Sequence, residues 1–192
     1  MNAWLVFIDE SGLLMMPFVR RSWAPTGETP ILLHRGCSHK KVSAIAALCL
    51  SPNGRKVSLY FRLHPDANIT TRCVRAFLEQ IKRQLPGPIV VIWDCFQPHR
   101  AVAMRKFLER KNGKITAFYF PPYTPEMNPV EGVWGYLKTN PLANRAPWEL
   151  ETLTRFARSS SRSLQKKEQL LHSFINHSQL PLRIQQDRTL FM

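Results

Sequence analysis

At 192 residues and 44% hydrophobic content, the chain has the length of one ordinary domain with a core of its own. Lys and Arg number 27 against 13 Asp and Glu, a formal charge of +14, which points to a polyanionic partner, nucleic acid in the first place. No apolar run approaches the roughly 20 residues of a membrane span, so neither a transmembrane helix nor a membrane partner is expected.

Residues 3–8 form a continuous apolar run of the kind that makes a strand buried on both faces. Asp9-Glu10-Ser11-Gly12 reads as its end, and the two acids interrupt any signal-peptide core. Residues 17–23, with Arg20 and Arg21, read as a second strand, and 24–30 as a Pro/Gly-rich loop. Two β-rich runs, 41–50 and 56–63, flank Ser51-Pro52-Asn53-Gly54, a hairpin signal. Four strands are thus expected ahead of the first helix. That helix is expected over 69–85 behind Asn68, with Cys73, Val74, Phe77, Leu78, Ile81 and Leu85 as its core face. A second fully apolar strand, 88–93, ends at Asp94. A helix over 98–111 and a short strand over 115–120 follow. Cys37, Cys49, Cys73 and Cys95 show no CxxC or Cys/His pairing, which fits a reduced, cytoplasmic setting without structural zinc.

The stretch Pro121-Pro122-Tyr123-Thr124-Pro125-Glu126-Met127-Asn128-Pro129-Val130-Glu131 joins that last strand to a helix. Asn128 suits the N-cap, Pro129 the first helical position, and Glu131 the third. Glu131 either reaches back as the acid of a capping box or is projected by the proline-stiffened loop into a site. Val130, Val133, Trp134 and Leu137 make the buried face of this helix. Glu131, Gly135 and Lys138 lie on a neighbouring stripe, where a phosphate backbone could approach closely at Gly135 and pair with Lys138. Tight helix packing is the other reading of Gly135.

From Pro147 the chain reads as polar helix. Arg155, Arg158, Arg162 and Lys166 fall on one stripe, a solvated face or a DNA contact, although Ser159-Ser160-Ser161 weakens the helix. The expected organisation is a core over 1–145, a basic helical extension over 146–180 and a loose tail over 181–192.

Two buried-type strands finish on Asp9 and Asp94, and Glu131 opens the helix after a third. Groups at the carboxyl ends of parallel strands converge on one crevice. Three carboxylates gathered there repel one another and lose hydration, which divalent cations relieve. Oxygen ligands without Cys or His favour Mg²⁺ or Mn²⁺, and two such ions would serve phosphodiester chemistry. Each acid also has a structural reading as turn former or cap. Glu10 is pointed away from Asp9 by strand alternation. Relief of repulsion predicts that Asp94→Asn raises stability without metal.

The strand pattern with acids at strand ends suggests an α/β ribonuclease H-like fold, a mixed five-stranded sheet flanked by helices with an extra C-terminal helical segment. The sequence resembles the catalytic domain of DDE transposases of the bacterial insertion-sequence branch related to mariner elements. The resemblance rests on Phe7-Ile8-Asp9-Glu10-Ser11-Gly12, on Trp23-Ala24-Pro25-Thr26-Gly27-Glu28-Thr29-Pro30 and on Trp93-Asp94 with Pro98-His99-Arg100. The proline loop through Glu131, with Trp134, and the 37 positions from Asp94 to Glu131 complete it. The resemblance implies a catalytic and metal-binding triad of Asp9, Asp94 and Glu131 with two Mg²⁺ or Mn²⁺ ions. It further implies DNA cleavage at element ends, strand transfer into short TA-containing targets, a homodimer, and work in the cytoplasm at the nucleoid. Cys95 stands where many relatives carry Asn. The family's N-terminal helix-turn-helix is not seen, which leaves three readings: the second frame of a two-frame element with a separately encoded helix-turn-helix subunit, a fusion product translated alone, or a decayed remnant. A plain ribonuclease H-like nuclease and an inactive DNA-binding remnant are the competing readings. His99 is read either as orienting a phosphate or water or as a structural histidine.

Overall fold

β1 (Trp4–Leu14) is the middle strand of a five-stranded sheet in the computed structural model, which describes residues 2–16, 18–33 and 40–180. The tail expected over 181–192 and Pro17 lie outside the described residues. On one side β1 pairs antiparallel with β2 (Lys41–Leu50), and β2 with β3 (Val57–Pro65). On the other side it pairs parallel with β4 (Ile89–Trp93), and β4 with β5 (Ile115–Tyr119). The order is 3-2-1-4-5. The hairpin signal at 51–54 falls where it is expected, between β2 and β3.

Two strand expectations fail for one reason, which is pairing. β1 does not stop at Asp9: its ladder with β2 runs on from Leu5↔Leu50 to Leu14↔Lys41 and carries Ser11 and Gly12 with it. Residues 18–23 have strand-like composition but, among the described residues, no strand beside them, and they are irregular, with Trp23 99% exposed. Their contacts are with the loop at Asn144, whose N–H donates to Phe18 O and whose Oδ1 accepts from Arg20 N–H. Among the described residues three strands, not four, precede the first helix.

The sheet is covered on both faces. α1 (Thr71–Gln84) starts behind Thr70, whose Oγ1 accepts from Cys73 N–H, a little later than Asn68 suggests. The helix expected over 98–111 is two pieces, α2 (Gln97–Arg100) and α3 (Val102–Glu109), parted at Ala101 with ψ 142°. On this face Val6, Ile8, Val91 and Trp93 pack with Phe77, Ile81, Met104 and Phe107. Against the other face lie α4 (Val130–Thr139), α5 (Leu150–Gln165) and α6 (Glu168–His177). There Phe7, Leu48 and Leu59 pack with Val133, Trp134, Leu137, Ala157, Leu164 and Ile175. α5 runs unbroken through Ser159-Ser160-Ser161, with Ser161 itself buried. The apolar face at Leu153, Ala157 and Leu164 outweighs the weak propensity of the serines. Among the described residues no helix is long and apolar enough to cross a membrane.

Candidate active site

Strand alternation divides β1 between the two layers. Phe7 packs with the α4 layer and Ile8 with the α1 and α3 layer, so Asp9 belongs to the first side and Glu10 to the second. The parallel register sets Phe7 opposite Ile92, which puts Asp9 and Asp94 each two residues further along. Phe120 N–H donates to Trp93 O at 2.8 Å and so ties the entry of the proline loop to β4 beside Asp94. Two side-chain links complete the convergence of the third acid on the first two. Asn128 Nδ2–H donates to Ile8 O at 3.3 Å, and Trp134 Nε1–H donates to Asp9 Oδ2 at 2.8 Å. α4, which carries Glu131 between those anchors, is thus pinned to β1 next to Asp9.

The capping-box reading of Glu131 does not hold. Asn128 N–H donates to Pro125 O at 2.9 Å, within the 3₁₀ turn Pro125–Met127, and is not left for the carboxylate. Asn128 Oδ1 does accept from Val130 N–H at 3.2 Å, but the N-cap position falls to Pro129 and the helix opens at Val130, one residue later than expected. Glu131 is exposed and lines one cleft of about 580 Å³ with Asp9 and Asp94. Arg100, Cys95, Phe96, Pro121, Pro122 and Tyr123 complete much of its wall.

The electrostatics of the three acids differ. Asp9 is only 9% exposed. Burial, then the charges of Glu131 and Glu10, with a smaller push from Asp94, raise its carboxyl to about 8, against the pull of the Trp134 hydrogen bond. Asp94 is the opposite case. Burial pushes it up, but hydrogen bonds from His99 and from Phe96 N–H, together with the imidazolium charge, hold it below its ordinary value. The expected stabilisation by Asp94→Asn therefore has the wrong residue: the crowded carboxyl is Asp9, while Asp94 has a cation beside it.

His99 lies outside the cleft wall. It is buried, and its two ring nitrogens donate to Asp94 Oδ1 and Glu10 Oε1, each at 3.0 Å. Two carboxylate acceptors require both nitrogens protonated. Burial opposes that charge, yet the hydrogen bonds of Asp94 and Glu10 raise His99 to about 9. Among the described residues, Glu10, Asp94 and His99 are the group of three whose ligand-type atoms lie within 4.8 Å of one another. Asp9, Asp94 and Glu131 share the cleft without closing to that spacing. A free phosphate-orienting role for His99 does not fit a ring already tied at both nitrogens.

Of the other residues singled out in the sequence, Gly135 is exposed and an added Cβ would meet nothing within 4 Å. Tight packing is thus ruled out there; it belongs to Gly132, where a Cβ would stand 2.8 Å from Phe174 Cδ1. Lys138 is half-buried one turn along from Gly135, beside Leu14, Phe18 and Arg145. Arg155, Arg158 and Arg162 are exposed on α5. Sequence reasoning misses Arg100 in the cleft, the Trp134 bond to Asp9 and the part played by Glu10. Trp134 and Arg100 do stand in the motifs that carry the family resemblance. Tyr123, fully exposed on the cleft rim with φ +58°, is also missed.

A mixed sheet of order 3-2-1-4-5, helices on both faces and carboxylates gathered where the middle of β1 passes the end of β4 define a ribonuclease H-like domain with an acidic cleft. Residues 4–154 match the family described as DDE superfamily endonuclease, and the chain belongs to that family. Its fold is that of a transposase catalytic domain. It is similar to the Mos1 mariner paired-end complex with Mn, at 16% identity and TM-score 0.63, over 90% of this chain and 51% of that one. The Mos1 paired-end complex with Mg gives 16% identity and 0.61 over 90% and 52%, and the catalytic domain of Mos1 alone 14% and 0.59 over 90% and 75%. The chain thus spans about half the length of the Mos1 chains in those complexes. A stretch of 31 residues is 52% identical to the uncharacterized protein y4pE/y4sA of Sinorhizobium fredii (strain NBRC 101917 / NGR234), 16% of this chain and 23% of that protein.

Proposed function

We propose that this domain cleaves DNA strands and joins them to target DNA with the help of a divalent cation, Mg²⁺ or Mn²⁺, two ions per site. The observation that carries the reading is Asp9, a nearly buried carboxyl crowded by Glu131, Glu10 and Asp94 and raised to about 8. Such a group is at ease as an anion only beside added positive charge. The all-oxygen set of Asp9, Asp94 and Glu131 suits a hard cation. Ions held by Asp9, Asp94 and Glu131 would supply activation of an attacking oxygen and stabilisation of a departing one. Mos1 complexes solved with Mn and with Mg, and with a transposon end, support the same reading.

The chain's own residues supply the rest. Asp9 is held by Trp134 and Asp94 by His99, so two of the three acids have fixed directions before substrate arrives. Arg100 in the cleft wall can pair with a phosphate of the strand being cut. In the first reaction a water oxygen attacks phosphorus and the P–O3′ bond breaks, leaving a 3′-hydroxyl and a 5′-phosphate. In the second that hydroxyl attacks a target phosphodiester, forming one P–O bond as another breaks. The exposed Arg155, Arg158 and Arg162, with Lys138 and the open backbone at Gly135, are the surfaces offered to DNA.

The test uses supercoiled plasmid and a short duplex with a free 3′-hydroxyl, incubated with the protein and Mn²⁺. Nicking and covalent joining are expected, both lost in Asp94→Asn and Glu131→Gln. Nicking without joining identifies a plain nuclease. Undiminished cleavage by Asp94→Asn sinks the assignment.

A further inference from the structure

His99 is held on every side. Its side chain is fully buried, with the ring stacked on Trp93 at 4.3 Å and 4° and in an edge contact with Phe96 at 5.6 Å. Nδ1–H donates to Asp94 Oδ1 at 3.0 Å and is 3.2 Å from Asp94 O; Nε2–H donates to Glu10 Oε1 at 3.0 Å. The His99 carbonyl accepts from Tyr119 O–H at 3.1 Å, and the carbonyl before it, Pro98 O, accepts from Thr71 O–H at 3.2 Å. A ring stacked on Trp93, met by Phe96 and bonded at both nitrogens has one orientation.

Asp94 has no such packing. It lies just beyond the end of β4, with its side chain 53% exposed, so neither strand alternation nor a core fixes its carboxylate. What fixes it is His99 Nδ1–H and Phe96 N–H, both on Oδ1. Oδ2 is left for whatever enters the cleft. Glu10 is 12% exposed at its side chain and bonds to His99; it lines a neighbouring cleft with Asp9 and Asp94, not the one that Glu131 lines.

We propose that Glu10 and His99 are positioning residues: Glu10 orients the His99 ring, and His99 holds the Asp94 carboxylate in the direction from which it takes its cation. Neither is itself a ligand. Carboxylates that bind metals are commonly held in this way by hydrogen-bonded partners, and removing such a partner typically weakens metal binding about 10- to 100-fold. The inference rests on the metal-dependent reading above.

The experiment measures Mn²⁺ uptake by the full chain without DNA, from the loss of the free-ion paramagnetic resonance signal, with melting in EDTA recorded for each protein. Wild type binds Mn²⁺ and Asp94→Asn does not. Glu10→Ala and His99→Ala weaken Mn²⁺ binding about 10- to 100-fold, while Glu10→Gln, which keeps an acceptor for Nε2–H, stays near wild type. If Glu10→Ala and His99→Ala shift melting but leave Mn²⁺ affinity unchanged, their role is structural and the proposal falls. Equal weakening by Glu10→Gln and Glu10→Ala overturns it in favour of Glu10 as a ligand. Should His99→Ala fail to fold, the Glu10 pair decides alone. Wild type that takes up no Mn²⁺ removes the metal-dependent reading itself, and this inference with it.

Discussion

Asp9→Asn should stabilise the metal-free protein, and by an amount that grows with pH. The native carboxyl titrates at about 8, raised from 3.8 by burial and by its acidic neighbours. Between those values the native state keeps a proton that the unfolded chain has lost, so stability is full below 3.8 and declines as pH rises toward 8. At about 1.4 kcal/mol per pH unit the loss reaches about 4 kcal/mol at pH 7. Asparagine carries no charge, and its oxygen can still accept from Trp134 Nε1–H. His99 loses its own contribution as pH rises from 6.5 through about 9, but it is common to both proteins and drops out of the difference. Urea denaturation in EDTA at pH 5, 6, 7 and 8 measures this directly. The expected result is a gap between mutant and wild type that widens by about 1.4 kcal/mol for each pH unit and closes toward pH 4. Excess Mn²⁺ should reverse the order, because only wild type gains binding energy from it. A gap that stays constant from pH 5 to 8 would show that Asp9 is not the strained carboxyl.

Two glycines on α4 should respond in opposite directions. Gly132→Ala places a Cβ 2.8 Å from Phe174 and should cost about 1–3 kcal/mol, much of it recovered with Phe174→Leu in thermal melts. Gly135→Ala meets open space and should gain about 0.5–1 kcal/mol; if DNA approaches there, its affinity falls while stability rises. Replacing Arg155, Arg158 and Arg162 together with Ala should weaken DNA binding across sequences. The slope of log K against log salt should flatten by about 0.9 for each phosphate that the protein no longer neutralises; an unchanged slope makes the stripe a solvated face.

How much of this is legible in the sequence depends on how local the cause is. The β2–β3 hairpin and the apolar strands carry their own signals in composition and turn chemistry. So does Asp94, which directly follows the end of β4; Asp9 reads as the end of its strand, but β1 pairs on through it to Leu14. Residues 18–23 mislead because strand propensity describes a fit to neighbours, and Trp23 has none. The serines of α5 mislead in reverse: a buried face elsewhere on the helix decides the outcome. Alternation along β1 does turn Glu10 away from Asp9, but its partner, His99, is 89 positions away, and no local period links them. The capping box fails because the proline turn, itself legible, places Pro125 O where it takes the Asn128 N–H first.

The match to the family ends at residue 154, yet α6, at 168–177, presses Phe174 onto Gly132, the next residue after Glu131. Just past α6, Gln179 N–H donates to Glu126 O at 3.1 Å and staples the chain to the proline turn. The third acid therefore rests on a buttress built from later sequence. A protein cut back to the sheet and its first four helices would retain all three carboxylates while losing the wedge and the staple that hold one of them in place.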